Sequence, residues 1–205
     1  KILVGFSYPE TRVLPFAVKS DGEHLEAAMN WSRVAQDVTG CDGVSACFDL
    51  VRKEWGKPYR ETTGYIIETF IDYYLQTGKK EYLDRAVSMG DWEIDKNGEI
   101  KYKIFNTGQV ILGLFHLFEH TQQNKYLVAV KKAADWLVIN QDEDGSWNNY
   151  SNKGAKTFDT RVAWALFLVY KVTKEEKYKK AGRKNLMWVI SQQKDNFWFC
   201  NTGIS

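Results

Sequence analysis

Two carboxylates, Glu61 and Asp159, stand at the openings of apolar segments, each followed within two residues by a threonine. Around Glu61 the chain reads Tyr59-Arg60-Glu61-Thr62-Thr63-Gly64-Tyr65, and around Asp159 it reads Phe158-Asp159-Thr160-Arg161-Val162-Ala163-Trp164. A third opening of the same kind, Phe105-Asn106-Thr107-Gly108-Gln109, carries amides in place of acids. Paired carboxylates suit glycoside cleavage, where their separation distinguishes retention from inversion. With Tyr59 or Tyr65 as acid partner and Arg161 neutralising a carboxylate, Glu61 also suits proton abstraction at C5 of a uronate, leading to epimerisation or β-elimination. The candidate catalytic set is therefore Glu61, Asp159 and Tyr65. The candidate binding set is Tyr59, Asn106, Gln109, Arg161, Trp164 and Trp147, because indole and phenol faces suit pyranose rings and amides and guanidinium suit hydroxyls and carboxylates.

Each of these residues also has a plainer role open to it. Acids at helix starts cap the helix and complement its dipole. Thr63, Thr107 and Thr160 read as caps in this sense, and Arg161 can pair with a neighbouring acid.

The elements that position these residues follow from an internal repeat. Glu81 to Trp92, Lys125 to Trp136 and Lys177 to Trp188 align without gaps, with Tyr82, Tyr126 and Tyr178 each ten residues before the tryptophan. Thr77, Thr121 and Thr173 stand five residues before each tyrosine. Each unit is thus a helix, a short turn, a second helix and a longer loop. The first helices, such as Val110 to Phe115 and Val162 to Leu168, are apolar nearly all round, which means burial on every side. The second are amphipathic: Tyr126, Leu127, Val130, Ala133, Ala134 and Leu137 share one face, and Lys131, Lys132 and Asp135 take the other.

The expected fold is therefore all-α, an α/α toroid of six-hairpin type forming an incomplete ring, with the first helices inside and the second outside. One domain over 1–205 is expected, divided into a lead-in (1–23), a degenerate hairpin (24–60), three repeats (61–104, 105–157 and 158–199) and the start of another (200–205). The turns near Gly78, Gln123 and Glu175 are short, whereas the connection from Asn140 to Phe158 is long. Long loops on a rigid scaffold mark the functional end, at the starts of the inner helices. Glu61 and Asp159 are then expected on neighbouring inner helices.

Composition narrows the classes. Eight Trp, eleven Tyr and eleven Phe are many for a plain helical bundle and usual where rings line a cavity. A net charge of +2 with both signs interspersed favours neither nucleic acid nor an anionic membrane. No run approaches the roughly 18 apolar residues of a membrane span, and the first residues do not read as a signal peptide. Cys41, Cys47 and Cys200 lack zinc-ligand spacing and cannot all pair, which fits a reducing, cytoplasmic compartment. His116 and His120 have chelating spacing but fall near the far end of an inner helix, so no metal and no cofactor are expected. The expected partner is a polysaccharide or oligosaccharide, with self-association through open ring ends as a further expectation.

Two family resemblances arise on these residues. Lys132-Ala133, Trp136-Leu137, Gln141, Gly145 and Trp147 resemble the QW motif of squalene and terpene cyclases, in which Gln and Trp tie an outer helix to the next loop. The acidic D-x-D-D run of proton-initiated cyclases and the zinc set of prenyltransferase β subunits are absent. Over nearly the whole chain, Gln36-Asp37, Gly43-Val44-Ser45, Pro58-Tyr59, Glu61 to Ile67, Phe105 to Gln109 and Gln141 to Trp147 resemble a prokaryotic toroid family associated with exopolysaccharide biosynthesis. That family is loosely similar to the helical domain of glucuronyl C5-epimerases and to six-hairpin glycosidases. The resemblance implies a carbohydrate-active toroid handling an acidic or amino-sugar polysaccharide. A non-catalytic glycan-binding or assembly module and a terpenoid-type toroid are the alternatives. The family continues past Trp198-Phe199 into a Thr-His-Thr segment, so the 205 residues are expected to be a truncated part of such a toroid.

Overall fold

The computed structural model describes residues 19–94, 103–151 and 153–203. Within them lie α1 (Asp21–Asp37), a hairpin of β1 (Phe48–Asp49) and β2 (Glu54–Trp55), and three helical hairpins. These are α2 (Arg60–Thr77) with α3 (Lys80–Glu93), α4 (Ile104–Thr121) with α5 (Asn124–Ile139), and α6 (Thr160–Thr173) with α7 (Glu176–Ser191). Helices α2, α4 and α6 pack side by side as the inner layer, and α3, α5 and α7 cover them from outside. Of the expected lead-in, residues 1–18 lie outside the described residues, as do 95–102 of the first repeat and 204–205 of the last segment.

The inner layer is close because glycines form its contact line. A Cβ on Gly64 of α2 would fall 2.8 Å from the Gln109 carbonyl oxygen of α4, and one on Gly113 would fall 2.6 Å from the Gly64 carbonyl oxygen. Val110, Ile111, Leu114, Leu117, Val162 and Leu166 fill the rest and are fully buried. This explains why α4 is apolar all round: α2, α5 and α6 enclose it.

Each recurring residue has a recurring task. The hydroxyls of Thr77, Thr121 and Thr173 donate to the carbonyls four residues back at 2.7, 2.6 and 2.9 Å. The same hydroxyls accept the N–H of Lys79, Gln123 and Glu175, so each closes its turn from both sides. Between outer helices the tyrosines act. Tyr126 Oη donates to Asp91 at 2.9 Å and Tyr178 Oη to Asp135 at 2.7 Å, and the lysine before each tyrosine pairs with the same carboxylate. Gln141 donates to the Ala181 carbonyl at 2.9 Å, and Gln36 of α1 donates to the equivalent Arg85 carbonyl at 3.5 Å. Helix α1 thereby sits on α3 as α5 sits on α7.

Two features depart from the expectations. The loop between α1 and α2 contains a short β-hairpin, with Phe48 opposite Trp55 and the Asp49 carboxylate accepting the Val51 and Arg52 N–H groups to close the turn. Trp147 is not a surface ring. It is fully buried and its indole donates to the Leu137 carbonyl at 2.9 Å, because the turn after α5 folds back under its own helix. Gly145 permits that turn: its φ is +95°, and a Cβ would fall 2.4 Å from the Lys184 carbonyl oxygen. Trp147 therefore belongs to packing and is removed from the candidate binding set.

Candidate active site

The starts of α2 and α4 and the segment leading into α6 enclose a cavity of about 430 Å³. Its wall combines Tyr59, Glu61 and Tyr65 from the first unit, Lys103, Phe105 and Asn106 from the second, and Tyr150, Ser151, Lys156 and Phe158 from the third connection, with Ile104. The repeat explains the choice. Glu61, Phe105 and Phe158 hold equivalent places in their units, and so do Tyr59, Lys103 and Lys156 two residues earlier. All six line the cavity, since equivalent residues on side-by-side helices face the same space.

Four sequence candidates meet here: Glu61, Tyr65, Tyr59 and Asn106. The Asn106 amide donates to the Tyr59 hydroxyl at 3.0 Å and ties the rim of α4 to that of α2. Phe105 and Phe158 pack edge to face with centroids 5.1 Å apart. Among the described wall residues Glu61 is the one carboxylate and Lys103 and Lys156 are the cations, so these residues carry a net positive charge. Partial burial raises the pKa of Glu61. Burial also raises that of the Tyr65 phenol, an effect opposed by the Arg161 cation and reinforced by Glu61.

Asp159 is elsewhere. It is 1% exposed, ends a 3-10 turn (Thr157–Asp159), and turns inward. Its Oδ2 accepts the Lys156 N–H at 3.3 Å and its Oδ1 has no partner. Burial pushes its pKa up to about 7, against which the Lys156 N–H and charge act more weakly. Glu61 and Asp159 are not on neighbouring helices, because α4 lies between α2 and α6. Asp159 also follows the cavity-lining position, Phe158, by one residue.

Gln109, Arg161 and Trp164 form a second group beside Tyr65 and outside the cavity wall. The Gln109 amide oxygen accepts the Arg161 Nε–H at 2.9 Å. The guanidinium lies 5.0 Å from the Tyr65 ring centroid and 5.5 Å from that of Trp164. Trp164 is 44% exposed, whereas Gln109 is buried.

Behind the wall, Arg60 points away from the cavity and anchors its corner. Its guanidinium donates to the Glu93 carbonyl and pairs with Glu93 Oε2 at 3.0 Å, and it stacks on Trp92. Glu93 is fully buried with Oε1 unpartnered, and burial raises its pKa to about 8 despite the opposing charge and hydrogen bond of Arg60.

Sequence reasoning missed Lys103, Lys156, Phe105, Phe158, Tyr150 and Ser151. The first four were available by carrying the offsets of Tyr59 and Glu61 into the next two units. Tyr150 and Ser151 come from an irregular loop that carries no periodic signal. No group of three His, Cys, Asp or Glu side chains among the described residues is arranged to hold a metal, and no helix there is long and apolar enough to cross a membrane.

The fold is shared with solved α/α-toroid proteins. A possible member of glycoside hydrolase family 105 from Salmonella enterica superposes with a TM-score of 0.70 at 12% identity, over 90% of this chain and 58% of its own. A family 76 α-mannanase from Bacteroides thetaiotaomicron gives 0.65 at 20% identity, over 86% and 57%. A D-mannose isomerase gives 0.58 at 16%, over 87% and 53%. The chain thus spans little more than half the length of these relatives. No curated protein matches the sequence. Residues 48–165, more than half of the chain and including the hairpin, both inner-helix starts of the cavity and the Phe158 segment, match Glycosyl Hydrolase Family 88. The chain belongs to Glycosyl Hydrolase Family 88, an assignment in keeping with a carbohydrate-active enzyme.

Proposed function

We propose that this protein cleaves a glycosidic bond in an acidic oligo- or polysaccharide, such as an exopolysaccharide, with the reacting sugar held in the cavity at the starts of α2 and α4. The observation that carries the reading is the composition of the wall: among its described residues one carboxylate, Glu61, shares the cavity with aromatic rings and with Lys103 and Lys156. The rings of Tyr59, Phe105 and Phe158 supply flat apolar faces for a pyranose. The lysines supply charge for the sugar's carboxylate. Glu61 acts as the proton-transfer group in contact with substrate, and its raised pKa brings it closer to the range where a carboxyl both gives and takes a proton. Asp159, buried and protonated up to about pH 7, lies outside the cavity wall and takes no direct part in the cleavage.

A second reading is favoured by one specific feature: the wall's single carboxylate is flanked by two phenols, Tyr59 and Tyr65. Glu61 as base and a tyrosine as acid suits elimination or epimerisation at C5 of a uronate. Incubation with uronate oligosaccharides in D2O, followed by product analysis, separates the two. Hydrolysis adds water across the glycosidic bond without exchange at C5; epimerisation incorporates deuterium there, and elimination leaves an unsaturated sugar. Glu61→Gln abolishing turnover supports the site under either reading, and unchanged turnover refutes it.

A further inference from the structure

We infer that a second glycan-binding surface lies beside the cavity, an aromatic platform of Trp31, Phe48 and Trp55 that holds a stretch of polysaccharide running out from the cavity. The inference rests on the carbohydrate reading of that cavity. The Trp31 and Trp55 ring centroids are 4.7 Å apart with an interplanar angle of 43°. Phe48 stands edge-on to both, 5.7 Å from Trp31 and 5.1 Å from Trp55. Phe48 and Trp55 are cross-strand partners, and Trp55 is seated on the core. Trp31 is outermost and 54% exposed, whereas its repeat counterparts Trp92, Trp136 and Trp188 are partly or wholly buried. An indole fixed by two neighbouring rings, yet half in water, loses little side-chain freedom when a ligand stacks on it.

The platform is joined to the cavity by a continuous ribbon. Gly56 N–H donates to the Cys47 carbonyl at 2.8 Å, Ala46 to Lys57 at 2.9 Å, and Tyr59 to Val44 at 2.9 Å. The pairing that begins at Trp55 therefore continues past the end of β2, through the Ser45–Pro58 bridge, to Tyr59 on the cavity wall. Four residues at a strand's rise cover about 13 Å, the reach of a short oligosaccharide. The hairpin that carries the platform bears Arg52, Lys53 and Lys57 against Asp49 and Glu54, with Arg52 paired to Asp49, so its balance of charge is slightly positive and suits an acidic chain more than a neutral one. Exposed Leu50 and Val51 at the hairpin tip extend its apolar edge.

Affinity electrophoresis in gels containing alginate, hyaluronate or neutral glucomannan tests this, with Trp31→Ala compared against the wild-type protein and folding checked by a matched melting curve. The expected result is retardation by an acidic polymer, weakened about tenfold in Trp31→Ala, with turnover of short oligosaccharides unchanged. Glu61→Gln should keep the retardation while losing turnover, so failure of the cavity reading and failure of the platform give different patterns. Wild-type migration unaffected by all three polymers overturns the platform. So does equal retardation of Trp31→Ala, or a wild-type dimer in sedimentation that Trp31→Ala converts to monomer, since the rings then meet a second copy.

Discussion

Gln109 Oε1 accepts the Arg161 Nε–H at 2.9 Å, so an amide buried in α4 sets the position of a cation on α6. That cation lies against the ring of Tyr65 on α2, which lines the cavity. Three inner helices are thereby indexed to one another beside the site. Gln109→Ala removes the acceptor and frees Arg161. The expected outcome is a loss of roughly tenfold in kcat/KM, and a rise in the Tyr65 phenol pKa, since Arg161 holds it down. Ultraviolet titration of Gln109→Ala, referenced to Tyr65→Phe, checks the shift, and Gln109→Glu should restore it.

Asp159 gives a prediction about pH with a definite sign. Its pKa is near 3.9 in an unfolded chain and about 7 here. Between those values the folded protein keeps a proton that the unfolded chain releases, so stability falls as pH rises from about 4 to about 7. Glu93 acts in the same direction up to about pH 8. Urea unfolding at several pH values should show this decline, and Asp159→Asn should flatten the portion below pH 7. An unchanged slope in that variant would remove Asp159 as its source.

The outer layer is held by the tyrosine contacts to the preceding aspartates. Tyr178→Phe leaves the ring packed and deletes the 2.7 Å bond to Asp135, which Lys177 continues to hold. The expected loss is about 1–3 kcal/mol of unfolding free energy, measurable by denaturant titration. Tyr126→Phe at the equivalent bond to Asp91 should behave alike, and because the two bonds are well separated the double variant should lose close to the sum.

The inner helices test packing instead. Gly113→Ala places a methyl group 2.6 Å from the Gly64 carbonyl oxygen, and backbone there cannot rotate away. Relief requires α2 and α4 to part. The expected cost is about 1–3 kcal/mol, accompanied by weaker substrate binding, because the same two helix starts carry Glu61, Tyr59 and Asn106.

Much of this was legible in the sequence because repetition converts spacing into geometry. The Thr, Tyr and Trp series marks turns and outer helices, and the apolar run from Val110 to Phe115 marks an enclosed helix. Glu61, Tyr65, Tyr59 and Asn106 were placed at one mouth for the same reason. The errors arose where the period was read loosely. Asp159 follows the position equivalent to Glu61 by one residue and sits beyond an intervening helix, which a list of helix openings does not reveal. Trp147 looked like a loop ring on the working face, but the Gly145 turn folds it under α5. The β-hairpin and the Tyr150 contribution depend on loop conformation, which has no period to read.

The central claim is that Glu61 does the proton transfer in a cavity built for an acidic sugar. Its most direct test is turnover of uronate oligosaccharides by the wild-type protein and by Glu61→Gln, followed by chromatography of the products. The account predicts cleavage by the wild-type protein and a drop of about 10²–10⁴-fold in kcat for the variant, with substrate still bound. Equal turnover by the two proteins would contradict it.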